Sequence, residues 1–259
     1  MMALSAEAEF GGRSEMDKPD NSNLSKKSIP PEERLIFALD VDSTDEAKVL
    51  VEKFGDSVVF YKIGLQLFMG GGFFELLDWL NKQNKKVMVD LKFFDVPETV
   101  GAAVRQLKEK PAAEFATVHG NDAILEAACR EKNGTKILAV TVLTSLDEAD
   151  LRDLGFSVDP KTLVLSRARR AIDIGCDGII SSGIEANDLR EEFGERVLIV
   201  CPGIRPIKNT DDQKRTVDVE EAFLNGADYI VVGRPIRNAP DPAKAAKDIQ
   251  DRIKRLFSS

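Results

Sequence analysis

Short apolar segments alternate with amphipathic segments eight times along the chain from Arg34 onward. Each apolar segment has the length of a buried strand, and each amphipathic segment has the periodicity of a helix that covers one face of a sheet. Strands joined in this way run parallel, because the intervening helix returns the chain to the same edge of the sheet. Eight strand–helix pairs in about 225 residues match the count and the length of a (β/α)8 barrel, the TIM barrel. We therefore predict an α/β protein with a single barrel domain over residues 32–259.

The predicted strands are the apolar runs Leu35–Val41, Val58–Gly64, Val87–Phe93, Phe115–His119, Lys136–Thr144, Gly178–Ser182, Arg196–Cys201 and Tyr229–Gly233. A doubly wound open sheet is the alternative architecture. Such a sheet more usually has fewer strands and a glycine-rich first turn. The chain has no such turn, so the barrel is favoured.

The first 31 residues differ in composition from the rest of the chain. They are rich in Ser, Glu, Asp, Lys, Gly and Asn and show no hydrophobic periodicity. A segment of this kind cannot bury enough apolar surface to offset the entropy lost on ordering. We therefore predict a disordered N-terminal tail over residues 1–31.

The net charge of −8 gives no electrostatic reason to expect nucleic-acid or membrane binding. No apolar run approaches the roughly 18 residues that a membrane span requires.

The cysteines Cys129, Cys176 and Cys201 are widely spaced and form no CxxC pair. This pattern indicates reduced core residues rather than a disulfide framework or a zinc site. The N-terminal sequence resembles neither a secretory signal nor a transit peptide. We therefore expect a cytoplasmic protein.

Charged residues are concentrated in the stretch Lys85–Val100, which reads KKVMVDLKFFDVPETV. Asp90 and Lys92 interrupt an otherwise apolar strand, and residues two apart in a strand project to the same face. Asp95 follows just beyond the strand. Charges in such a place would be costly to bury unpaired. A structural salt bridge would explain Asp90 and Lys92 alone, whereas the additional charge of Asp95 at the strand end favours a functional site.

Other predicted strands also end in polar or charged residues. In a barrel of this class, the active site lies at the C-terminal ends of the strands. The residues at these ends are Asp40, Lys62, Asp90, Lys92, His119, Thr144, Ser182, Pro202–Arg205 and Gly233–Arg234. A single polar end would mean little, but polar residues at nearly every end predict an active site there.

Two loops predict a phosphate site. Arg205 follows strand seven in the sequence CPGIR, and Gly233 and Arg234 follow strand eight in VGRP. Barrels of this class often bind phosphate after these two strands. Glycine lets an anion approach backbone N–H groups, and arginine supplies a permanently charged, bidentate clamp. A turn glycine beside a solvated arginine is the alternative, but Arg205 and Gln213 in the neighbouring loop favour phosphate, so we predict a phosphate monoester as substrate.

Taken together, these motifs resemble the orotidine 5′-monophosphate decarboxylase family. The stretch DLKFFDVPETV resembles the family's Asp-x-Lys-x-x-Asp signature, which is followed by a short turn that contains proline. The resemblance continues in the family's order through FALD, YKIG, VTVLTS, CPGIR, DDQKR and VGRPI, and it covers essentially everything from Arg34 onward. It is closer to the bacterial-type, monofunctional branch, since no phosphoribosyltransferase-like segment indicates the bifunctional fused form.

The resemblance implies a catalytic chain of alternating charges. Lys92 would be the general acid that protonates C6 of the pyrimidine as carbon dioxide leaves, with Asp90 and Lys62 beside it. Asp95 would reach across the interface of a homodimer and complete this chain in the partner's site. The implied reaction converts orotidine 5′-monophosphate to uridine 5′-monophosphate, the last step of de novo pyrimidine biosynthesis, and uses no cofactor and no metal.

The resemblance also implies a set of substrate contacts. These are Asp40 and Lys62 at the ribose, Thr144 at the base, Gln213, Gly233 and Arg234 at the phosphate, and Arg205 as a support for the phosphate loop.

Three other functions stay open on the sequence. A magnesium-dependent sugar-phosphate decarboxylase or aldolase of the same barrel superfamily shares the Asp-x-Lys-x-x-Asp core but differs in the turn that follows, and a chelator would inactivate it. A Schiff-base enzyme would use Lys92 or Lys62 and would be trapped by borohydride with a carbonyl substrate. A catalytically inactive phosphate-binding barrel is the third alternative, although such a protein has no reason to keep a full set of paired charges.

Overall fold

The computed structural model describes residues 21–205 and 217–258. Within them, eight parallel strands close into a barrel in the order of the sequence. The strands are β1 Leu35–Ala38, β2 Phe60–Gly64, β3 Lys86–Phe93, β4 Ala113–His119, β5 Lys136–Val140, β6 Gly178–Ile180, β7 Leu198–Pro202 and β8 Tyr229–Val232. The predicted (β/α)8 fold is confirmed.

Helices surround the barrel and connect its strands. They are α1 Thr44–Phe54, α2 Leu65–Gly70, α3 Phe73–Lys82, α4 Pro97–Arg105, α5 Asp122–Glu131, α6 Glu148–Asp153, α7 Pro160–Ile174, α8 Ala186–Phe193, α9 Val219–Leu224, α10 Arg234–Arg237 and α11 Pro242–Phe257, with short 3-10 turns at Pro31–Glu33, Gly55–Ser57 and Gly194–Arg196. Over the described residues, no helix combines the length and the apolar character of a membrane span.

Alternating side chains of the strands build two apolar layers. On β2, Phe60 points into the barrel, while Tyr61 packs among the side chains that face the helices. The ring centroid of Phe60 lies 5.0 Å from that of Phe115 and 5.9 Å from that of Tyr229. These large rings, which come from the first residues of their strands or close to them, fill the lumen at its N-terminal end. Open space for a ligand is therefore left at the C-terminal end.

Several strands end earlier than their apolar runs predict. β1 ends at Ala38 rather than Val41, and β5 ends at Val140 rather than Thr144. Beyond the end of β5, Val142 and Leu143 line a cavity. A residue is apolar because it is buried, whether or not it pairs with a neighbouring strand. The apolar run in the sequence therefore continues beyond the last residue of the strand.

Residues 25–31 pack against the N-terminal end of the barrel, and ahead of them Asn23 donates to the side chain of Asn187 in the first turn of α8 at 2.6 Å. The first part of the predicted tail, residues 1–20, lies outside the described residues. The Ser25 hydroxyl donates to the carboxylate of Asp228, and Lys27 Nζ lies 3.2 Å from the same carboxylate. Asp228 is fully buried and also accepts a hydrogen bond from Arg190 at 2.8 Å. Because Asp228 directly precedes β8, these contacts lie at the end of the barrel opposite the open space.

Candidate active site

A cavity of about 310 Å³ opens at the C-terminal ends of the strands. It brings together residues that lie far apart in the sequence. The predicted site residues that line it are Asp40, Lys62, Asp90, Lys92, Thr144, Arg205, Gly233 and Arg234. Gln213, predicted for the same site, lies outside the described residues.

Four of these side chains form a row of alternating charges. Lys62 Nζ lies 2.9 Å from Asp40 Oδ1 and 3.4 Å from Asp90 Oδ2. On the far side of Asp90, Lys92 Nζ lies 2.9 Å from both carboxylate oxygens. The order is therefore Asp40, Lys62, Asp90, Lys92, with each inner charge held between two of opposite sign.

The pairing of β2 with β3 places the inner members of this row side by side. Gly64, at the end of β2, is the register partner of Asp90 on β3. A Cβ atom on Gly64 would lie 3.3 Å from the Asp90 carbonyl oxygen and 3.6 Å from Lys62 Nζ. Glycine at this position lets the two strands approach while the lysine side chain passes beside them.

Lys92 has an unusual backbone conformation. Its φ is +46°, in the left-handed region that residues other than glycine seldom adopt. The Lys92 N–H donates to Thr117 Oγ1 on β4 at 2.9 Å, and the Thr117 hydroxyl lies 2.9 Å from Asp90 Oδ1. The side chains of Asp90 and Lys92 are in contact, as their spacing predicts. The contact forms at an irregular strand end, however, and not through the regular alternation of side chains along a strand.

Burial and neighbouring charges have opposite effects on the two inner groups. Burial by itself would lower the pKa of Lys62, but the carboxylates of Asp90 and Asp40 outweigh it, and the pKa of Lys62 is raised. Burial would raise the pKa of Asp90, but the charges of Lys62 and Lys92 and the hydrogen bonds from Lys92 and Thr117 lower it. Both Asp90 and Lys62 are therefore charged throughout the neutral pH range.

At the opposite side of the cavity, β8 leads directly into the short helix α10. Gly233 is the N-cap residue that precedes this helix, and a Cβ atom there would lie 3.1 Å from Ala38 Cβ on the neighbouring strand β1. Arg234 lines the cavity, and so does Arg237, which also donates to the backbone carbonyl of Asp40. Arg237 was not predicted from the sequence. Arg237 follows Arg234 by three residues, and this spacing places both side chains on one side of a helix. The spacing could have indicated that Arg237 belongs to the same site.

The loop after β7 is anchored at the edge of the same cavity. Arg205 is buried, and its backbone N–H donates to the carbonyl of Val217 at 3.1 Å.

Between the charged row and the arginines, the wall of the cavity is apolar. It is formed by Ala38, Met88, Val140, Val142, Leu143, Ile180 and Val231. Such a wall can hold a flat ring with a polar group at each end.

Asp95 is placed differently from the other predicted catalytic residues. It is exposed, it is absent from the cavity lining of its own chain, and its carboxylate accepts a hydrogen bond from the Val96 N–H at 2.6 Å. Its neighbours Phe94 and Val96 are 68% and 62% exposed. His119 also lies outside the lining, with its ring centroid 5.2 Å from that of Phe94.

Comparisons with known proteins give a consistent result. A sequence model described as "Orotidine 5'-phosphate decarboxylase / HUMPS family" matches residues 33–249. The orotidine 5′-phosphate decarboxylase of Methylococcus capsulatus is 60% identical over 238 residues, which are 91% of this chain and 98% of the relative. The enzyme of the same name from Xanthomonas euvesicatoria is 50% identical over 236 residues, covering 89% and 97% of the two chains.

Two solved structures share the fold of this chain. The crystal structure of orotidine 5′-phosphate decarboxylase from Lactobacillus acidophilus superposes with a TM-score of 0.74 at 34% sequence identity, and the match covers 88% of this chain and 100% of the other. An uncharacterized conserved protein from Geobacillus kaustophilus superposes with a TM-score of 0.73 at 30% identity, covering 85% and 99%.

Proposed function

The chain belongs to the orotidine 5′-phosphate decarboxylase family, and we propose from this membership and from the site geometry that it converts orotidine 5′-monophosphate to uridine 5′-monophosphate. This reaction is the last step of de novo pyrimidine biosynthesis. The observation that carries the proposal is the row of charges formed by Asp40, Lys62, Asp90 and Lys92 at one side of a cavity with arginines at the other.

The reaction makes a specific demand on the site. As carbon dioxide leaves, an electron pair remains in an sp² orbital at C6 of the pyrimidine, where the ring cannot delocalise it. The enzyme must place a positive charge and a proton beside C6 before the bond breaks, because preorganised charge costs no reorganisation in the transition state. The ammonium of Lys92 supplies both. It delivers its proton to C6, and solvent then reprotonates the amine.

Asp90 and Lys62 support Lys92 in two ways. The carboxylate of Asp90 fixes the position of the Lys92 ammonium through contacts at 2.9 Å. In the proposed pose, Asp90 also lies near the substrate carboxylate, and this repulsion is relieved when neutral carbon dioxide departs. Lys62 keeps the buried Asp90 ionised. No cofactor or metal takes part in these steps.

The rest of the cavity binds the substrate. The proposed contacts are Asp40 and Lys62 to the ribose, Thr144 to the base, and Gln213, Gly233 and Arg234 to the phosphate, with Arg205 supporting the phosphate loop. The placement of Arg234 beside Gly233 at the start of α10 supports the phosphate assignment, since guanidinium and backbone N–H groups both bind phosphate oxygens. Binding energy from the phosphate can then be used to order the site for catalysis.

The active form is a homodimer with shared sites. Asp95 is exposed and lies outside its own cavity, between the exposed apolar side chains of Phe94 and Val96. On the neighbouring helix α2, Leu65 and Met69 are 62% and 79% exposed. Apolar residues exposed together at the ends of adjacent strands favour a protein interface. A second copy packed here would receive Asp95 into its own site.

We place the enzyme in the cytoplasm and expect no nucleic-acid partner. The three cysteines are free, as is usual in a reducing compartment. The net charge of −8 disfavours binding to a polyanion.

The test is a direct assay of the purified protein with orotidine 5′-monophosphate. We expect the ultraviolet absorbance of the substrate to fall as it is converted to uridine 5′-monophosphate, at equal rates with and without EDTA. Failure to convert this substrate would refute the proposed function. Conversion that required a divalent metal would instead favour the mechanism of the magnesium-dependent sugar-phosphate enzymes.

A further inference from the structure

Thr117 lies beneath the charged row without lining the cavity. It is on β4, and its side chain is completely buried. Its hydroxyl oxygen accepts a hydrogen bond from the Lys92 N–H at 2.9 Å and lies 2.9 Å from Asp90 Oδ1. A hydroxyl has a single proton, and a backbone N–H can only donate. The proton of Thr117 must therefore point to the carboxylate of Asp90, so that both hydrogen bonds have a fixed direction.

The pairing of β3 with β4 explains why a hydroxyl is needed at this position. Val89 is the register partner of Ala116, but Phe93 is the register partner of Val118. Between these two pairs β3 advances by four residues, whereas β4 advances by only two. The extra residues of β3, which include Lys92, therefore form a bulge in the sheet. At a bulge, a backbone N–H loses its partner in the ladder. For Lys92 the Thr117 hydroxyl takes the place of that partner and holds the residue at its positive φ.

From this geometry we propose that Thr117 is a positioning residue for the proposed decarboxylation, because its hydroxyl fixes the carboxylate of Asp90 and the backbone of Lys92 at the same time. This inference rests on the proposed function of Lys92 as the acid. Thr117 itself touches no substrate. It acts through the two residues whose relative placement determines where the ammonium lies.

The experiment replaces the hydroxyl without changing the volume. Thr117→Val keeps the branched shape but can neither donate nor accept, whereas Thr117→Ser keeps the hydroxyl. Thr141→Val is the matched control, because Thr141 is equally buried at the end of the adjacent strand β5 and donates to the Ile180 carbonyl at 3.1 Å, away from the charged row. The measurements are kcat and KM for orotidine 5′-monophosphate and the Kd of uridine 5′-monophosphate by calorimetry.

We expect Thr117→Val to lower kcat about 10- to 100-fold, as removal of hydrogen bonds to a charged group does. KM and the Kd of the product should stay within about threefold of wild type, because the phosphate end of the cavity is unchanged. Thr117→Ser should recover most of kcat, and Thr141→Val should resemble wild type. If Thr117 only supported the fold, its replacement by valine would not lower kcat while leaving KM nearly unchanged, and the hydroxyl of Thr117→Ser would not be needed to recover kcat.

The pH dependence gives a second readout. The charged groups that face Asp90 are Lys62 and Lys92, with Asp40 beyond Lys62. The hydrogen bond from Thr117 helps to lower the pKa of Asp90. Its loss should raise that pKa, so the acid limb of the kcat/KM profile of Thr117→Val should move to higher pH. Thr141→Val should leave the limb in place.

A Thr117→Val enzyme with the kcat of wild type would overturn the inference, as would a Thr117→Ser enzyme no better than Thr117→Val. If Thr117→Val does not fold, Thr117→Ala takes its place in the comparison with Thr117→Ser, and equal kcat values for these two variants would also overturn it. Wild-type protein that fails to convert orotidine 5′-monophosphate would refute the proposed function instead, so the two failures are distinguishable.

Discussion

The ammonium group of Lys92 lies 2.9 Å from both carboxylate oxygens of Asp90. The proposed acid is thus held by a carboxylate from its own strand, which is itself held from behind by Lys62 at 3.4 Å. This arrangement fixes the ammonium before substrate arrives, as electrostatic preorganisation requires.

Replacement of Lys92 should stop the chemistry and leave binding intact. We expect Lys92→Ala to have no measurable decarboxylase activity, with a circular dichroism spectrum and a Kd for uridine 5′-monophosphate close to those of wild type. Lys86→Ala is the control, because Lys86 lies on the same strand and pairs with Glu33 outside the cavity. It should retain full activity. Substantial turnover by purified Lys92→Ala would show that another group is the acid.

Replacement of Arg234 should affect binding and catalysis together. We expect Arg234→Ala to raise KM and to lower kcat/KM by several orders of magnitude, because phosphate binding energy is used in the transition state. Orotidine, which has no phosphate, provides the control substrate. The loss on orotidine should be much smaller. An equal loss on both substrates would exclude Arg234 as the phosphate clamp.

Two inactive variants should restore activity when their subunits exchange. Lys92→Ala and Asp95→Ala carry lesions in different members of a shared site. A mixed dimer would have one site with both lesions and one site with neither. Random exchange should therefore restore roughly a quarter of wild-type activity, since half the dimers are mixed and half of their sites are whole. If mass spectrometry verifies exchange and no activity returns, Asp95 serves its own subunit.

Replacement of Asp90 should lower stability in a pH-dependent way. The pKa of Asp90 is lowered in the folded protein, so its stabilising effect is present above its unfolded pKa of about 4 and is lost as the pH falls through the folded value. At pH 7, Asp90→Asn should cost about 3 kcal/mol, because it breaks the buried pair with Lys62. Urea unfolding at several pH values should show this difference shrinking below pH 4. A difference that did not change with pH would mean that the Asp90 charge does not stabilise the fold.

Replacement of Asp228 should affect stability but not catalysis. Its fully buried carboxylate accepts hydrogen bonds from Ser25, Arg190 and the Ile199 N–H. Asp228→Ala leaves the Arg190 guanidinium without this partner, and we expect a loss of about 3 kcal/mol in the free energy of unfolding. Under conditions where the variant is folded, kcat and KM should match wild type. A large change in KM would show that this end of the barrel is coupled to the cavity.

The sequence was sufficient to predict the fold because strand–helix alternation is a repeated, local signal. It also identified most of the charged residues that line the cavity, since strand ends meet at one end of a barrel. The positive φ of Lys92 could not be predicted from the sequence. This backbone conformation depends on the shift in register between β3 and β4 and on the hydrogen bond to the hydroxyl of Thr117. Such a contact joins residues on different strands and has no signature in either strand alone.

The packing of residues 21–31 was missed for a related reason. Ser25 and Lys27 have the composition of a solvated segment, and their contacts become apparent only when Asp228 is known to be buried behind them. Arg237 could not be predicted from the strand ends because it lies in the short helix that follows β8 and not at the end of the strand itself.

The anchoring of Ser25 and Lys27 to Asp228 also has a practical consequence. Both residues lie at the end of the barrel remote from the cavity, and more than 200 positions of sequence separate each of them from Asp228. A chain shortened to begin after Lys27 would keep all eight strands but would lose these contacts. Such a truncation would remove no residue of the cavity and would weaken the fold at the opposite end, so residues 21–27 belong in any shortened version of the protein that is made for crystallisation.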